Sequence, residues 1–332
     1  MKKLLASSCL AYGLLVGPSI ASAADCGSVT IASMNWQSAE VLSNIDKIIL
    51  SEGYGCDAEI TIGDTVPTIT SMAEKGQPDI APEAWVDMLP EVVKKGVEEK
   101  KLVQAANALP EGGVNGWWIP KYLADAHPDI KTISDALKHP ELFPDAEDPS
   151  KGTIAGGPQG WGATVISAQL YKAYEAEKKG FTLLDTGSAA GHDASLIKAY
   201  EQKKGWLGFY WAPTALLGKY EMVKLDFDAP YDAEAWKCIT TADCPNPKLS
   251  AWPVDHVYTL VSTEFSGRAG ADIMDYLNKR AWSNDTVGKL MAWMTDNQAS
   301  GEEGAKHFLS ENPDLWTKWV SAEAAEKIKA SL

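Results

Sequence analysis

Three short apolar runs, with two segments of helical period between them, limit what this chain can fold into. The runs are residues 29–33 (Val-Thr-Ile-Ala-Ser), 58–63 (Ala-Glu-Ile-Thr-Ile-Gly) and 79–84 (Asp-Ile-Ala-Pro-Glu-Ala). Between the first two, Val41, Leu42, Ile45, Ile48 and Ile49 recur at helical spacing over residues 38–51, and Gly53 and Gly55 break the pattern. Residues 65–75 read as a second helix stopped by Gly76. Strand–helix–strand–helix–strand in this order predicts parallel strands joined by helical crossovers. A second series follows the Gly112-Gly113-Val-Asn-Gly116 punctuation, with strands at 152–156, 181–185 and 206–210, helices at 162–175 and 193–203, and a late strand at 257–262. Residues 222–227 read as a further crossing, and helices fill 270–331. A chain of 332 residues usually splits into more than one core. The expected division is a leader over 1–23, a first lobe over 24–114, a second over 115–228, and a return to the first over 229–332. Two α/β lobes leave a cleft between them, a preferred place for a small ligand.

Lys2 and Lys3, the mostly apolar residues 4–16 and Ala21-Ser22-Ala23 have the order of a secretory signal, with cleavage expected after Ala23. The apolar run is too short to anchor in a membrane. Export predicts an oxidising compartment, the periplasm, and disulfides among the remaining cysteines. Four cysteines allow three pairings. Cys26 and Cys56 precede the first two strands, and Cys238 and Cys244 bracket a small loop, so 26–56 with 238–244 is the expected set. A zinc site is the weaker reading, because no C-x-x-C is present and no His clusters nearby.

The chain carries 30 Lys+Arg and 45 Asp+Glu; without Lys2 and Lys3 the balance is 28 against 45, a poor match to nucleic acid. Its five His form no H-x-x-x-H or H-E-x-x-H, and neither a nucleophile elbow nor a Walker sequence is present. Gly191-His192-Asp193 precedes a predicted helix, where Asp193 reads as an N-cap. These features predict no enzyme, no cofactor, no metal and a monomer. A secreted enzyme or an adhesin is the alternative from another class.

Of 13 Trp, against 6 Phe, three sit in loop-like settings beside Gly or Pro after apolar runs: Trp85, Trp161 and Trp211. Strand ends of an open α/β sheet are where ligands bind. Several indole faces around one pocket suit a cation with no hydrogen-bond donor, such as a quaternary ammonium. Trp206, Trp236, Trp252, Trp282, Trp293, Trp316 and Trp319 read as structural.

Three motifs carry a resemblance over essentially the whole chain after residue 23: Trp85-Val-Asp-Met-Leu-Pro90, Pro158-Gln-Gly-Trp161-Gly162 and Phe209-Tyr-Trp211-Ala-Pro213. In this order the chain resembles the periplasmic substrate-binding proteins of ABC importers for glycine betaine and related compatible solutes. The resemblance implies a two-lobed periplasmic-binding-protein fold of type II kind, with parallel-rich sheets flanked by helices and a ligand cleft between lobes. It also implies a box of Trp85, Trp161 and Trp211 around a methylated onium. The ligand carboxylate would lie on the backbone N–H groups of Gly162 and Ala163, with Thr164 beside them, at a helix start suited to anions. Choline-binding relatives add an early Trp, matched by Trp36, and an aromatic at the start of the second lobe, where Trp117 and Trp118 stand; Trp118 is the expected ligand contact. Asn35 and Gln159 are candidate polar contacts.

This chain departs from the family's patterns at three places. Leu89 stands where some betaine binders have His, and Ser38 where choline binders have Asp. The cysteines that flank Pro-x-Gly-Trp-Gly in one branch are absent. The expected ligand is therefore glycine betaine, proline betaine or dimethylsulfoniopropionate, with choline or carnitine as the alternative. The expected partner is a membrane permease served by a separate ATPase chain.

Overall fold

The computed structural model describes residues 26–332; the expected leader and its cleavage site lie outside them. The eleven strands are β1 (Ser28–Met34), β2 (Asp57–Gly63), β3 (Ile80–Trp85), β4 (Leu102–Asn107), β5 (Gly113–Pro120), β6 (Gly152–Gly157), β7 (Phe181–Asp185), β8 (Gly208–Ala212), β9 (Met222–Lys224), β10 (Val254–Asp255) and β11 (Val257–Ser262). They form two sheets. The first has the order β2-β1-β3-β11-β4, and the second β10-β5-β8-β6-β7 with β9 on β5. β1 runs parallel to β2 and β3, as the helical crossovers require, whereas β11 is antiparallel to β3 and β4. In the second sheet β6 is parallel to β7 and β8, and β5 is antiparallel to β8.

The inner strands β1, β3 and β11 are buried almost throughout and read as near-continuous apolar runs, whereas the edge strand β2 is mostly exposed. Val29, Ile31, Ile80, Ala81, Ala84, Val257, Leu260 and Val261 form the centre of the first sheet. The helix Gln37–Ile48 packs Val41, Leu42 and Ile45 against it and continues in a π-turn over Ile49–Gly53. The helix Thr65–Lys75 stops at Gly76, which adopts φ 72° and so takes the left-handed conformation that a helix stop favours. Strand β4, where no strand was expected, forms one edge of the first sheet.

The sheets are joined where β4 leads into β5 and where β10 leads into β11. Because β10 pairs with β5 and β11 with β3, sheet membership changes at His256. Disulfides join Cys26 to Cys56 and Cys238 to Cys244, the expected set. The first ties the entries of the adjacent strands β1 and β2.

Candidate functional site

β3 ends in the sequence Glu-Ala-Trp, and alternation along a strand puts Glu83 and Trp85 on one face. Glu83 is 1% exposed. Its Oε1 accepts hydrogen bonds from Trp36 Nε1 at 2.7 Å, Trp85 Nε1 at 3.1 Å and Ser38 Oγ at 2.9 Å. One carboxyl thus fixes the edges of two indoles. Burial holds Glu83 above the usual carboxylate range, against the opposing pull of these three donors. Its Oε2 has no hydrogen-bond partner among the described residues. Trp36 occupies the N-cap of the helix Gln37–Ile48 with extended backbone (φ −134°). The ring of Trp85 lies against Gly113 at the start of β5, where an added Cβ would fall 1.9 Å from Cζ3. A glycine is needed there for the indole to reach across between the sheets.

The second sheet supplies the facing walls. Trp161 is the N-cap of the helix Gly162–Ala173. It meets Trp36 edge-to-face at 6.1 Å and Trp211 edge-to-face at 5.3 Å. Trp211 lies within β8, stacked on Phe209 at 5.8 Å, and Phe209 stacks on Trp252 at 5.3 Å. These rings surround a small cavity lined by Trp36, Thr65, Trp85, Met88, Asn115, Trp161, Ala163, Phe209 and Trp211. Among the described residues no Lys, Arg or His lines it. Indole planes set nearly at right angles offer negative ring faces from several directions, which suits a compact cation stripped of water.

The polar complement is mostly oxygen. Asn115 Nδ2 donates to Asp255 Oδ2 at 2.6 Å, and Trp252 Nε1 donates to the same oxygen at 3.0 Å. Burial, reinforced by the nearby Asp87 charge, keeps the Asp255 carboxyl well above its usual range. Asn115 Oδ1 and Asp255 Oδ1 are buried without partners among the described residues. Donors at the cavity are the Thr65 hydroxyl and the backbone at the start of the helix Gly162–Ala173. There Thr164 N–H turns back to Trp161 O, and Gly162 and Ala163 are N1 and N2, whose N–H groups have no intrahelical acceptor.

Of the residues expected at the site, the fold brings Trp36, Trp85, Trp161, Ala163 and Trp211 to one cavity, with Gly162 beside Ala163 and packed on Met88. It does not bring Trp118 there. Asn115 faces the cavity, so the strand's alternation turns Trp117 to the same face and Trp118 away. By residue 117 that face is covered: Trp117 is fully buried, packed on Tyr174 and donating to Ser167. Trp118 instead donates to Tyr210 O at 2.9 Å on the other face. Gln159 is exposed, and Asn35 binds the Trp161 indole N–H rather than lining the cavity. The N-cap expected at Asp193 is Ser188, whose hydroxyl accepts from Gly191 N–H; Asp193 lies inside the helix Ala189–Glu201.

Five contributors were missed: Glu83, Thr65, Met88, Asn115 and Phe209. Glu83 adjoins the Trp85 motif, and Met88 and Phe209 lie inside the quoted motifs, whereas Thr65 and Asn115 carried no local signal. Ser38 also changes meaning. It stands where an acid was expected for choline, yet its hydroxyl is bonded to Glu83, so a carboxyl occupies that neighbourhood from 45 positions away in the sequence.

The substrate-binding domain of ABC-type glycine betaine transport systems matches residues 27–311. The chain belongs to this family. Over 96% of its length and 100% of the relative's it is 24% identical to a trimethylamine N-oxide-binding protein of Pelagibacter ubique. Solved structures show the same fold at low identity. The glycine betaine/L-proline-binding protein ProX of Borrelia burgdorferi gives TM-score 0.71 at 21% identity, covering 91% of this chain and 99% of that one. Lactococcal OpuAC, closed on glycine betaine, gives 0.67 at 21%, covering 89% and 100%. A choline-binding protein in complex with choline gives 0.71 at 18%, covering 92% and 98%. The chain is thus a substrate-binding component of the ABC-type glycine betaine transport family. Among the described residues no helix is long and apolar enough to cross a membrane.

Proposed function

We propose that this protein captures a compact methylated onium solute outside the cytoplasm and delivers it to a membrane permease driven by a separate ATPase chain. The observation that carries the reading is the cavity whose walls are Trp36, Trp85, Trp161 and Trp211 and whose lining holds no cationic side chain. Each desolvated cation–π face contributes about 2 kcal/mol, and three or four together support micromolar binding, roughly −8 kcal/mol, after ordering costs. The two sheets, on this reading, are the two lobes, and Trp36 and Trp85 meet Trp161 and Trp211 when they close.

The anionic end of the ligand distinguishes two solutes. Unpartnered oxygens of Glu83, Asn115 and Asp255 stand near the cage, where a ligand carboxylate would be repelled unless the acids hold protons. The lining offers few donors, which suits the single oxide of trimethylamine N-oxide, the solute named for the Pelagibacter relative, better than a carboxylate. Glycine betaine is the second reading, favoured by the Gly162 and Ala163 N–H groups at a helix start. Calorimetry with trimethylamine N-oxide, glycine betaine, dimethylsulfoniopropionate, choline and glycine tests this. The methylated onium zwitterions bind at micromolar Kd, with trimethylamine N-oxide tightest. Glycine hardly binds, because its ammonium would lose water without gaining an acceptor. Tight glycine binding would remove the aromatic-cage reading.

A further inference from the structure

Trp161 belongs to the second sheet's unit, yet its indole N–H is held by the first. Trp161 Nε1 donates to Asn35 Oδ1, in the turn after β1, at 2.6 Å. The preceding residue makes a second bond across the cleft: Val66 N–H donates to Gly160 O at 2.9 Å. A third contact is steric. A Cβ at Gly160 would lie 2.7 Å from Asp64 Cβ and 2.8 Å from its Cγ, and Gly160 holds φ 94°, so only glycine fits between the turn and Asp64. Asp64 is half-buried with Oδ1 unpartnered; burial raises its carboxyl and the Asn35 amide opposes the shift. Neither Asn35 nor Gly160 lines the cavity.

We propose that Asn35 and Gly160 form a closure latch, which presses the Trp161 wall of the cage onto the first unit and so sets how long a bound onium stays, without touching it. The physical reason lies in which state makes each bond. In an open cleft the Trp161 N–H and the Gly160 carbonyl face water. In the closed one they are paired across the lobes, and the ring they carry completes the cage. Val66 gives the latch a private reporter. It is the second residue of the helix Thr65–Lys75, a position whose N–H has no intrahelical acceptor, so its protection from exchange depends on Gly160 O alone.

The latch rests on the onium-binding reading for its purpose but not for its detection. The test uses Asn35→Ala and Gly160→Ala in the full chain. Stopped-flow Trp fluorescence with trimethylamine N-oxide and with glycine betaine gives kon and koff, and amide exchange follows the peptide containing Val66. Asn35→Ala raises koff roughly three- to tenfold, the worth of one net hydrogen bond, with kon unchanged because capture occurs on the open cleft. The ligand-free unfolding midpoint of Asn35→Ala stays at the wild-type value, and the Val66 amide exchanges faster in both variants. Gly160→Ala, which adds the clash, raises koff further. An unchanged koff in Asn35→Ala, or a Val66 amide unprotected in ligand-saturated wild type, would overturn the latch. If the wild type binds neither probe, the ligand reading fails on its own; ligand-free sampling of the closed form then protects Val66 more in wild type than in Asn35→Ala, and equal exchange in the two would overturn the latch.

Discussion

Trp211 and Trp316 are both buried indoles, and they differ in what lies against their faces. Trp211 has Phe209 on one side and the cavity on another. Trp316 is enclosed completely, with its N–H donating to Leu309 O at 2.7 Å. Trp211→Ala should therefore lower onium affinity at least about tenfold, the loss of one desolvated cation–π face. Trp316→Ala should leave affinity unchanged and cost about 3–5 kcal/mol of stability through the void it opens. Calorimetry paired with urea unfolding reads both, and the reverse pattern would mean the cage has been misplaced. Glu83 shows why a residue's chemistry is not confined to itself. It touches the cage only through the edges of Trp36 and Trp85, yet it fixes where both rings stand.

At the scale of elements, the back of the cage is β8 lying on the helix Ala189–Glu201. His192 Nε2 donates to Phe209 O at 2.7 Å, and its ring meets Trp161 edge-to-face at 5.9 Å. Its neighbour Asp193 accepts from Tyr210 OH at 2.7 Å. Burial moves the two groups in opposite directions, His192 from 6.5 down to about 4 and Asp193 from 3.8 up to about 6. The stability that neutral His192 contributes is complete above pH 6.5 and is lost as pH falls through 4. That of protonated Asp193 is complete below pH 3.8 and is lost as pH rises through 6. In the wild type the two offset each other between pH 4 and 6. Asp193→Asn removes one and keeps the other. On going from pH 7 to 4 this variant should lose roughly 2 kcal/mol more stability than the wild type. Urea midpoints measured across that range check it; parallel curves would show that Asp193 titrates as an ordinary surface acid.

Across the whole molecule, two sheets share a cage but are tied covalently in different ways. The Cys26–Cys56 bridge spans 30 residues and pins β1 to β2, whereas Cys238–Cys244 spans 6. Loop-closure entropy makes the longer bridge worth roughly 3–4 kcal/mol and the shorter about 2. Replacing Cys26 and Cys56 by Ser should therefore lower the urea midpoint more than replacing Cys238 and Cys244. The opposite order would mean that strain or residual structure, not chain entropy, governs these bridges. The crossing at His256 is secured from the first unit: Val86 N–H donates to His256 O, and Asp87 Oδ2 accepts from His256 N–H at 2.6 Å and lies 2.8 Å from its ring Nδ1.

Much of this architecture is written locally. Alternation and helical period placed β1, β2 and the helices that follow them, because burying a strand on both faces or a helix on one leaves a pattern readable from neighbours alone. Glycine at 76, proline beside the tryptophans and cysteines ahead of adjacent strands are signals of the same kind. Legible in the sequence alone were the α/β class, the preferred of three disulfide pairings, the family resemblance and the four indoles that line the cavity. Tertiary structure decided what depends on distant partners. Glu83 gained its role from Trp36 and Ser38, Asn115 from Asp255, and Asp193 from Tyr210. Trp118 lost the role expected of it because the face that β5 presents to the cavity was set by Asn115. A buried polar group takes whichever partner packing brings within about 3 Å, and no spacing along the chain encodes a contact made between strands of different sheets.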